Sequence, residues 1–493
     1  MRRTARVIAA IALVVAALGC SRTAELPKPV AAGGPAIEFA TGLQKRVTVD
    51  AMFAHLATLQ DIANAHDGNR AVGTPGYEAS VEFVAEVLRG RGFDVMTPEF
   101  STRVFKAEKP VLTVGGTEVA AHALEFSGGT PGLQGPLVVA PASETPGCVP
   151  AAYDGIPVQG AVVLVDRGSC QFNEKATIAA KLGAIALIVA NNVDEEKMGG
   201  TLGDKTQVQI PVVGVSKADG ARLRAEPGPV TLKLDAGTRT IMARNVIAQT
   251  KTGSPQDVVM VGGHLDSVPA GPGINDNGSG VAAVLETAVQ LGSSPKVRNA
   301  VRFAFWGAEE IGLVGSRKYV ESLNVEQLKD IALYLNFDML GSPNPGYFTY
   351  DGNQSAPRGD GSVPRVPEGS PGIERTFVGY LEAQGKTAED TSFDGRSDYD
   401  GFTMAGIPAG GLFSGAEENK TAAQAQSWGG TADAPFDPNY HKATDTLDHV
   451  DRDAQRINGG GVPYAVGLYA QDLGGRNGMP VREDRTRHVL TKS

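Results

Sequence analysis

The sequence is poor in cysteine and in positive charge, and it lacks long apolar runs beyond its first 20 residues. Three cysteines among 493 residues allow one disulfide at most. Lys and Arg number 45 against 55 Asp and Glu, and this formal net charge of -10 argues against nucleic acid as a partner. No stretch after the leader has the length and hydrophobicity of a transmembrane helix. The 62 glycines and 30 prolines fit a loop-rich chain, and its length allows two to four domains.

The first 20 residues have the features of a signal peptide. Three arginines within the first six residues precede an apolar stretch, Val7–Leu18, that is too short to cross a bilayer. The segment ends in Ala-Leu-Gly-Cys, which resembles a bacterial lipobox, and this resemblance implies lipidation of Cys20. An ordinary secretory signal, cleaved nearby, is the alternative. In both cases we expect an exported protein. It is either secreted or lipid-anchored to the cell envelope, at its outer face or in the periplasm, and it meets a membrane only through that anchor.

Patterning divides the rest of the chain into five segments. Residues 21–40 are rich in Pro, Ala and Gly and predict a tether. Helical spacing of apolar residues begins an α/β domain at 41–105, which includes a predicted helix at Tyr77–Arg91. Short β-like segments between Gly and Pro fill 106–240, and the α/β pattern resumes at 241–473. The polar residues 474–493 predict a disordered tail.

The segment 106–240 resembles a protease-associated (PA) domain inserted into a peptidase. The Arg-Gly-Ser-Cys-x-Phe motif at 167–172 and the upstream Cys148 carry this resemblance. Insertion is favoured because the helices before this segment find their sheet only after it; a separate small β-domain is the alternative. If Cys20 carries lipid, Cys148 and Cys170 are left, and they can pair in an oxidising compartment. Pairing requires Cα atoms that lie close together, which sequence spacing does not determine.

Three short apolar runs in the second α/β segment end in acidic or imidazole side chains. The runs Val258–Val261, Val301–Trp306 and Leu333–Phe337 predict buried strands. In open α/β sheets, ligands bind beyond the carboxyl ends of such strands. The side chains found there are His264, Asp266, Glu309, Glu310 and Asp338. Two further candidates lie on turns, namely Asp276, before a predicted helix, and His441.

Singly, each of these groups has an ordinary structural explanation. A lone histidine is more often structural, an Asp beside Gly is usually a turn residue, and a Glu-Glu pair is usually a solvated helix start. Apart from Asp266, the set contains two histidines and four carboxylates, which suits zinc but exceeds the three protein ligands of one catalytic site. Five ligands serve two metals about 3.5–4 Å apart if one carboxylate bridges them. The sixth group is then free to act as a base.

The motifs around these residues resemble those of the secreted bacterial di-zinc leucine aminopeptidases of the Streptomyces and Vibrio type. They occur in the order of that family, as Gly263–Ser267, Gly271–Gly280, Trp306–Ser316, Asn336–Asn344, Gly395–Tyr399, Gly410–Gly415 and Phe436–His441. The resemblance implies an α/β fold of the zinc-exopeptidase, phosphorylase/hydrolase-like type, with a mixed, mostly parallel sheet flanked by helices. It also implies a metallo-aminopeptidase that removes an N-terminal residue, especially a large apolar one such as Leu. We expect a monomer that acts on peptides with a free N-terminus.

The resemblance assigns the five metal ligands to two Zn²⁺ ions. Asp276 would bridge both ions. His264 and Asp338 would complete one metal site, and Glu310 and His441 would complete the other. A structural Ca²⁺ ion is a further option that the sequence leaves open.

The same resemblance assigns the remaining roles. Glu309 would be the general base that takes a proton from the attacking water, and Asp266 would orient His264. Tyr440 would donate a hydrogen bond to the oxyanion. The substrate-binding residues would be Arg396, Met339 and Phe413. For Tyr440 and these three residues, plain packing or a surface ion pair is the alternative.

Two features depart from the family pattern, and other functions compete. Relatives often have cysteines flanking the last histidine, where this chain has Asn439 and Thr444, so the loop of His441 must be held differently. The simplest relatives also lack the insertion, which could narrow access to short peptides. The main rival is a zinc carboxypeptidase of the glutamate-carboxypeptidase type, which would need a basic pocket. A glutaminyl cyclase and a receptor-like homologue without metals are further alternatives.

Overall fold

The computed structural model describes residues 34–194, 198–356, 366–474 and 478–491. The predicted signal peptide, Cys20 and residues 21–33 of the predicted tether lie outside these ranges. No helix within the described ranges is long and apolar enough to cross a membrane.

Helices account for much of the described chain. In chain order they are α1 (Gly34–Arg46), α2 (Val49–Ala65), α3 (Pro75–Gly90), α4 (Phe172–Lys181), α5 (Lys217–Ala225), α6 (Gly280–Leu291), α7 (Val314–Glu321), α8 (Val325–Asp330), α9 (Ser370–Ala383), α10 (Tyr399–Met404), α11 (Ala422–Trp428) and α12 (Arg452–Gln471).

Strands form two large sheets and one two-stranded ribbon. In chain order they are β1 (Val95–Met96), β2 (Glu99–Ala107), β3 (Val111–Val114), β4 (Thr117–Val119), β5 (His122–Ala123), β6 (Thr130–Val139), β7 (Val162–Asp166), β8 (Ala186–Ala190), β9 (Val212–Val215), β10 (Pro229–Leu234), β11 (Ala236–Arg244), β12 (Val246–Gln249), β13 (Ser254–His264), β14 (Asn299–Trp306), β15 (Ile331–Phe337), β16 (Phe348–Tyr350), β17 (Glu389–Thr391) and β18 (Ala409–Phe413).

The larger domain is built on a sheet with the order β1-β12-β14-β13-β15-β18-β16-β17. Its four central strands, β14, β13, β15 and β18, are parallel. The pairs β1–β12, β12–β14 and β16–β18 are antiparallel. These pairings confirm the predicted mixed, mostly parallel sheet, and they send the carboxyl ends of the central strands to one edge.

Helices cover both faces of this sheet, which explains why its central strands are largely apolar. All seven residues of β15 are buried. One face packs against α6 and α12, through residues such as Leu285 and Val462. The other face packs against α7, α8 and α10, through Val320, Leu328 and Phe402. A strand buried on both faces tolerates few polar side chains, and the ends of these strands carry the candidate ligands.

The predicted insertion forms the second sheet, in the order β4-β3-β10-β6-β7-β8-β9-β5. Helices α4 and α5 cover opposite faces of its parallel part, since Ala176 packs with one cluster and Leu223 with the other. The antiparallel ribbon β2–β11 connects the insertion to the larger domain. Cys148 and Cys170 are joined by a disulfide, with an S–S distance of 2.08 Å.

Predictions for both chain ends are wrong where the structure describes them. Helix α1 occupies part of the predicted tether, and its residues Ala36 and Ala40 are buried with Leu468 of α12. The predicted disordered tail also packs, because Arg485 and Arg487 are only 2% and 8% exposed. These two guanidinium groups donate hydrogen bonds of 2.7 and 2.9 Å to the carbonyls at 329 and 331.

Candidate functional site

Four candidate residues lie at the carboxyl ends of neighbouring parallel strands. His264 is the last residue of β13, and Asp338 follows β15 directly. Glu309 and Glu310 lie in the loop after β14. Because these three strands are adjacent and parallel, their ends bring the four side chains to one place.

Asp276 reaches this place from a turn. The turn Ile274–Ser279 lies between β13 and α6, and all its residues are buried. Asn277 donates a side-chain hydrogen bond of 2.8 Å to the carbonyl of Phe337, so the turn is tied to the end of β15. The peptide bond between Asp276 and Asn277 is cis. The turn thus places the Asp276 carboxylate between the other candidates.

The first group of candidate ligands consists of His264, Asp276 and Asp338. Nε2 of His264 is 3.2 Å from Oδ1 of Asp276 and 3.3 Å from Oδ1 of Asp338. The ligand atoms of this group all lie within 4.8 Å of one another. Nδ1 of His264 donates to the Asp266 carbonyl at 3.1 Å, which leaves Nε2 as the nitrogen able to accept a metal.

The second group consists of Asp276, Glu310 and His441. Nε2 of His441 is 3.2 Å from Oδ2 of Asp276 and 3.0 Å from Oε2 of Glu310. Asp276 therefore belongs to both groups, with one oxygen facing each histidine. His441 comes from the loop between α11 and α12, where its ring stacks on Tyr440 with a centroid distance of 3.8 Å. These five residues are the ones that the family resemblance implies as ligands.

The chemistry of the five side chains fits metal cations. Oε1 of Glu310 and Oδ1 of Asp338 are buried acceptors to which no group of the described residues donates a hydrogen bond, as expected of oxygens arranged for a cation. Imidazole and carboxylate together are a donor set suited to zinc. Within the described residues, no third group of at least three His, Cys, Asp or Glu side chains comes together in this way.

The pKa shifts within the site also indicate that it binds cations. Burial raises the pKa of Glu310 to about 7, and the negative charge of Asp276 acts in the same direction. Burial lowers the pKa of His441, but its hydrogen bonds to Asp276 and Glu310 outweigh this and raise the pKa to about 10. The imidazoles thus hold protons that offset the carboxylates. Such a set binds cations in exchange for protons.

Glu309 lies beside both groups but belongs to neither. Its Oε2 atom is 4.0 Å from Nε2 of His264, and the residue is 9% exposed. Burial raises the pKa of Glu309 well above its ordinary value, while a charged His264 opposes the shift and Glu310 adds to it. A carboxylate with a raised pKa is the stronger base, so this position suits proton transfer.

Asp266 contacts the site through both its backbone and its side chain. Its carbonyl oxygen, and not its carboxylate, accepts the hydrogen bond from His264; the nearest carboxylate oxygen is 3.9 Å from Nδ1. The carboxylate instead accepts hydrogen bonds from the backbone N–H groups of Glu309 and Glu310, at 3.1 and 3.3 Å. One residue therefore orients His264 through its backbone and fixes the Glu-Glu pair through its side chain.

Arg70 is a site component that sequence reasoning missed. Its side chain is fully buried and donates hydrogen bonds to three carbonyls of the loop between His264 and Asp276. The acceptors are Leu265, Pro272 at 2.9 Å and Gly273 at 2.6 Å. Burial lowers the pKa of Arg70 to about 10, so it stays charged at neutral pH and offsets nearby carboxylates. Nothing in the sequence around Arg70 indicated that its side chain would be buried.

Asp445 was also missed, although it holds the turn that carries Asp276. Its Oδ1 atom accepts a hydrogen bond of 2.7 Å from the N–H of Asn275, and its Oδ2 atom accepts one of 3.0 Å from the N–H of Asp276. Burial raises the pKa of Asp445 to about 7. Since Asp445 follows His441 by four residues, these bonds also tie the loop of His441 to the turn. These hydrogen bonds hold the loop of His441, which lacks the cysteines found at its ends in many relatives.

The predicted substrate-binding residues line the pocket that opens onto both groups. Arg396, Met339, Phe413 and Tyr440 lie in its wall together with the candidate ligands. Met339 is 3% exposed, and its neighbour Phe413 is half-buried. Burial, with Asp276 and Glu310 close by, raises the pKa of Tyr440, so its phenol keeps its proton and can donate it in a hydrogen bond.

Comparison with known proteins places this architecture in a family. Residues 245–464 match the model of peptidase family M28, and residues 133–223 match that of the PA domain. The probable lipoprotein aminopeptidase LpqL of Mycobacterium tuberculosis is 68% identical over 489 residues, which are 98% of each chain. Leucine aminopeptidase 2 of Arthroderma otae is 39% identical over 90% of this chain and 88% of its own length.

Solved structures agree with this relationship. An aminopeptidase from Aneurinibacillus sp. strain AM-1 superposes with a TM-score of 0.72 at 27% identity, over 90% of this chain and 98% of the other. A zinc aminopeptidase from Bacillus subtilis superposes with a TM-score of 0.63 at 26% identity, over 88% of this chain and 98% of the other. With its mostly parallel sheet, its inserted domain and these relatives, the chain belongs to peptidase family M28.

Proposed function

We propose that the protein is an exported zinc aminopeptidase that removes N-terminal residues from peptides with two Zn²⁺ ions. One observation carries the proposal: the buried carboxylate of Asp276 faces His264 and His441 with separate oxygens, at 3.2 Å each. A carboxylate between two histidines, each accompanied by a further carboxylate, is the ligand set of a bridged pair of metals.

The ligands divide into two sites that share Asp276. His264 and Asp338 would hold one Zn²⁺, and Glu310 and His441 would hold the other. Bound zinc lowers the pKa of water toward ~7 and polarises the scissile carbonyl. The pair of sites uses five of the six charged groups, so Glu309 is left for proton transfer.

The chain's own residues then supply positioning and proton transfer. Glu309 takes a proton from the attacking water and delivers it to the leaving amine. The backbone of Glu309 is fixed by the Asp266 carboxylate, which keeps the base beside the reacting atoms. Tyr440 donates its phenolic hydrogen bond to the oxyanion that develops on the scissile carbonyl.

Recognition of the substrate follows from the pocket wall. Carboxylates of the site can receive a free α-ammonium group, which favours cleavage after the first residue. Met339 and Phe413 offer apolar surface to the first side chain, and an apolar pocket gives modest selectivity of about 1–3 kcal/mol per methylene-scale difference. We therefore propose a broad preference for large apolar residues such as Leu. Several relatives are named leucine aminopeptidase 2, which supports this preference.

Export and anchoring complete the proposal. The apolar leader and Cys20 support lipid attachment to the cell envelope, and the relative at 68% identity is named a probable lipoprotein. Globomycin treatment of cells would test this, because it blocks the peptidase that cleaves lipoprotein signals. Accumulation of the precursor would support anchoring through Cys20, and unchanged processing would indicate an ordinary secretory signal.

A matched pair of substrates tests the reaction itself. Leucine p-nitroanilide has a free amine, whereas its N-acetyl derivative does not. We expect hydrolysis of the first only, loss of activity with 1,10-phenanthroline, and its return on addition of Zn²⁺. Hydrolysis of N-blocked peptides from the C-terminus would instead identify the carboxypeptidase alternative. The pocket argues against that alternative, since Arg396 is the only Lys or Arg among its described lining residues and is paired with acids.

A further inference from the structure

Arg396 lies at the mouth of the catalytic pocket between two glutamates. Its Nη2 atom is 2.8 Å from Oε1 of Glu417, and its Nη1 atom is 3.3 Å from Oε1 of Glu418. All three side chains are about half exposed, with exposed fractions of 51%, 48% and 57%. Nη2 of Arg396 also donates to the hydroxyl of Tyr440 at 3.4 Å. The pairing therefore adjoins the residue proposed to contact the scissile carbonyl.

The mouth of the pocket carries more negative than positive charge. Asp394 is a third acid there; its Oδ1 atom accepts hydrogen bonds from the N–H of Arg396 and the hydroxyl of Tyr399. Two carboxylates thus flank the guanidinium group of Arg396, and a third lies beside its backbone. Among the described residues that line this pocket, no other Lys or Arg offsets them. The excess is two negative charges.

This negative charge acts on the substrate residue that follows the scissile bond. In a dipeptide, that residue ends in a free carboxylate about 4 Å from the scissile carbonyl carbon, as backbone dimensions require. Because Tyr440 adjoins both that carbonyl and Arg396, the free carboxylate comes within roughly 7 Å of the acids at the mouth. A unit charge at this distance in water-like surroundings changes binding about threefold. In longer or amidated peptides the same position is neutral.

We propose that Glu417 and Glu418 are specificity-determining residues that disfavour dipeptides and favour peptides extended beyond the second residue. The inference rests on the proposed aminopeptidase function. The two glutamates cancel the attraction that Arg396 alone would exert on a free carboxylate. Arg396 can then hold Tyr440 without drawing dipeptides into the site.

The test compares two substrates that differ only in the charge of the leaving residue, Leu-Ala and Leu-alaninamide. The readout is the ratio of their kcat/KM values, because any general loss of activity cancels in it. We expect E417Q and E418Q each to shift the ratio about threefold toward Leu-Ala, and the double variant to shift it about ninefold. In 1 M salt, where the Debye length is about 3 Å, the shift should largely disappear.

E326Q is the matched control, because Glu326 is similarly exposed at 62% and is likewise paired with an arginine, but that arginine, Arg482, does not line the pocket as Arg396 does. Its ratio should equal that of the unmodified protein. If both substrates are cleaved and the ratio is unchanged in the double variant, the inference is wrong while the proposed function stands. A shift that persists in 1 M salt also overturns it. If neither substrate is cleaved by the zinc-loaded unmodified protein, the proposed function itself fails.

Discussion

Replacement of Arg70 by methionine should destabilise the α/β domain and loosen its hold on metal. Methionine has a similar length but removes the charge and all three side-chain hydrogen bonds to the loop between His264 and Asp276. The carbonyls of Leu265, Pro272 and Gly273 would then be buried without this donor. Each unsatisfied buried group costs about 1–3 kcal/mol.

The magnitude follows from burial and charge together. Arg70 is 0% exposed, and Asp266, Asp445, Asp276 and Glu310 lie within its electrostatic reach. Removal of one partner from a buried charge cluster costs about 3–5 kcal/mol, against a total stability of about 5–15 kcal/mol. We expect R70M to lose about that amount. R70K should lose less stability, because it keeps the charge. Some loss should remain, because lysine cannot reproduce the planar fork of the guanidinium group.

Urea unfolding followed by tryptophan fluorescence measures this loss of stability in the α/β domain. The chain has two tryptophans, Trp306 and Trp428, and both lie outside the insertion. R239M is a matched control, because Arg239 is exposed and its side chain donates only one hydrogen bond to the described residues, of 3.2 Å to the carbonyl of Gly73. It should cost under about 1 kcal/mol. If R70M unfolds within 1 kcal/mol of the unmodified protein and keeps its zinc, the role assigned to Arg70 is refuted.

Three further predictions concern metal uptake, the disulfide and the oxyanion. Without metal, Glu310 and His441 titrate with raised pKa values of about 7 and about 10, so zinc must displace protons. Zinc affinity should therefore rise with pH and fall as the pH drops below about 7; a flat profile in competition dialysis would contradict this. Replacement of Cys148 and Cys170 by alanine opens a loop with a sequence separation of 22 and should cost the insertion about 3 kcal/mol in thermal unfolding. Unchanged stability would show that the crosslink is dispensable. Y440F removes the phenolic donor and should lower kcat about 10²–10³-fold at unchanged zinc content; a change in KM alone would assign Tyr440 to substrate binding only.

Apolar runs in the sequence indicated only some of the candidate residues, since Asp276 and His441 lie on turns and the assignment of roles came from the family resemblance. A buried parallel strand permits few polar side chains, so His264, Asp338 and the Glu-Glu pair stand out even in one sequence. The helices α3 and α6 were predictable for a similar reason, since their apolar residues follow helical spacing. The central sheet and the general place of the site follow from these local patterns.

Other components depend on contacts between distant parts of the chain. Arg70 and Leu265 are 195 residues apart, and nothing near Arg70 in sequence marks a guanidinium group that will be buried. Asp445 resembles any acidic turn residue until its two oxygens meet the backbone of the turn at Asp276. Helix α1 is rich in small residues, which resemble a linker in composition but allow close packing on α12. Composition reports local preference, whereas burial is decided by what folds against the segment.

The central claim is that Glu309 transfers the proton whereas Glu310 binds zinc. The most direct test measures zinc content together with kcat in E309Q and E310Q. Glu310 lies 3.0 Å from His441 within the second ligand group, whereas Glu309 belongs to neither group. We predict that E309Q retains two zinc ions per chain and loses about 10²–10⁴-fold in kcat, as expected for removal of a general base. E310Q should retain only one zinc ion. Full activity in E309Q, or loss of zinc from E309Q while E310Q keeps both ions, would contradict the account.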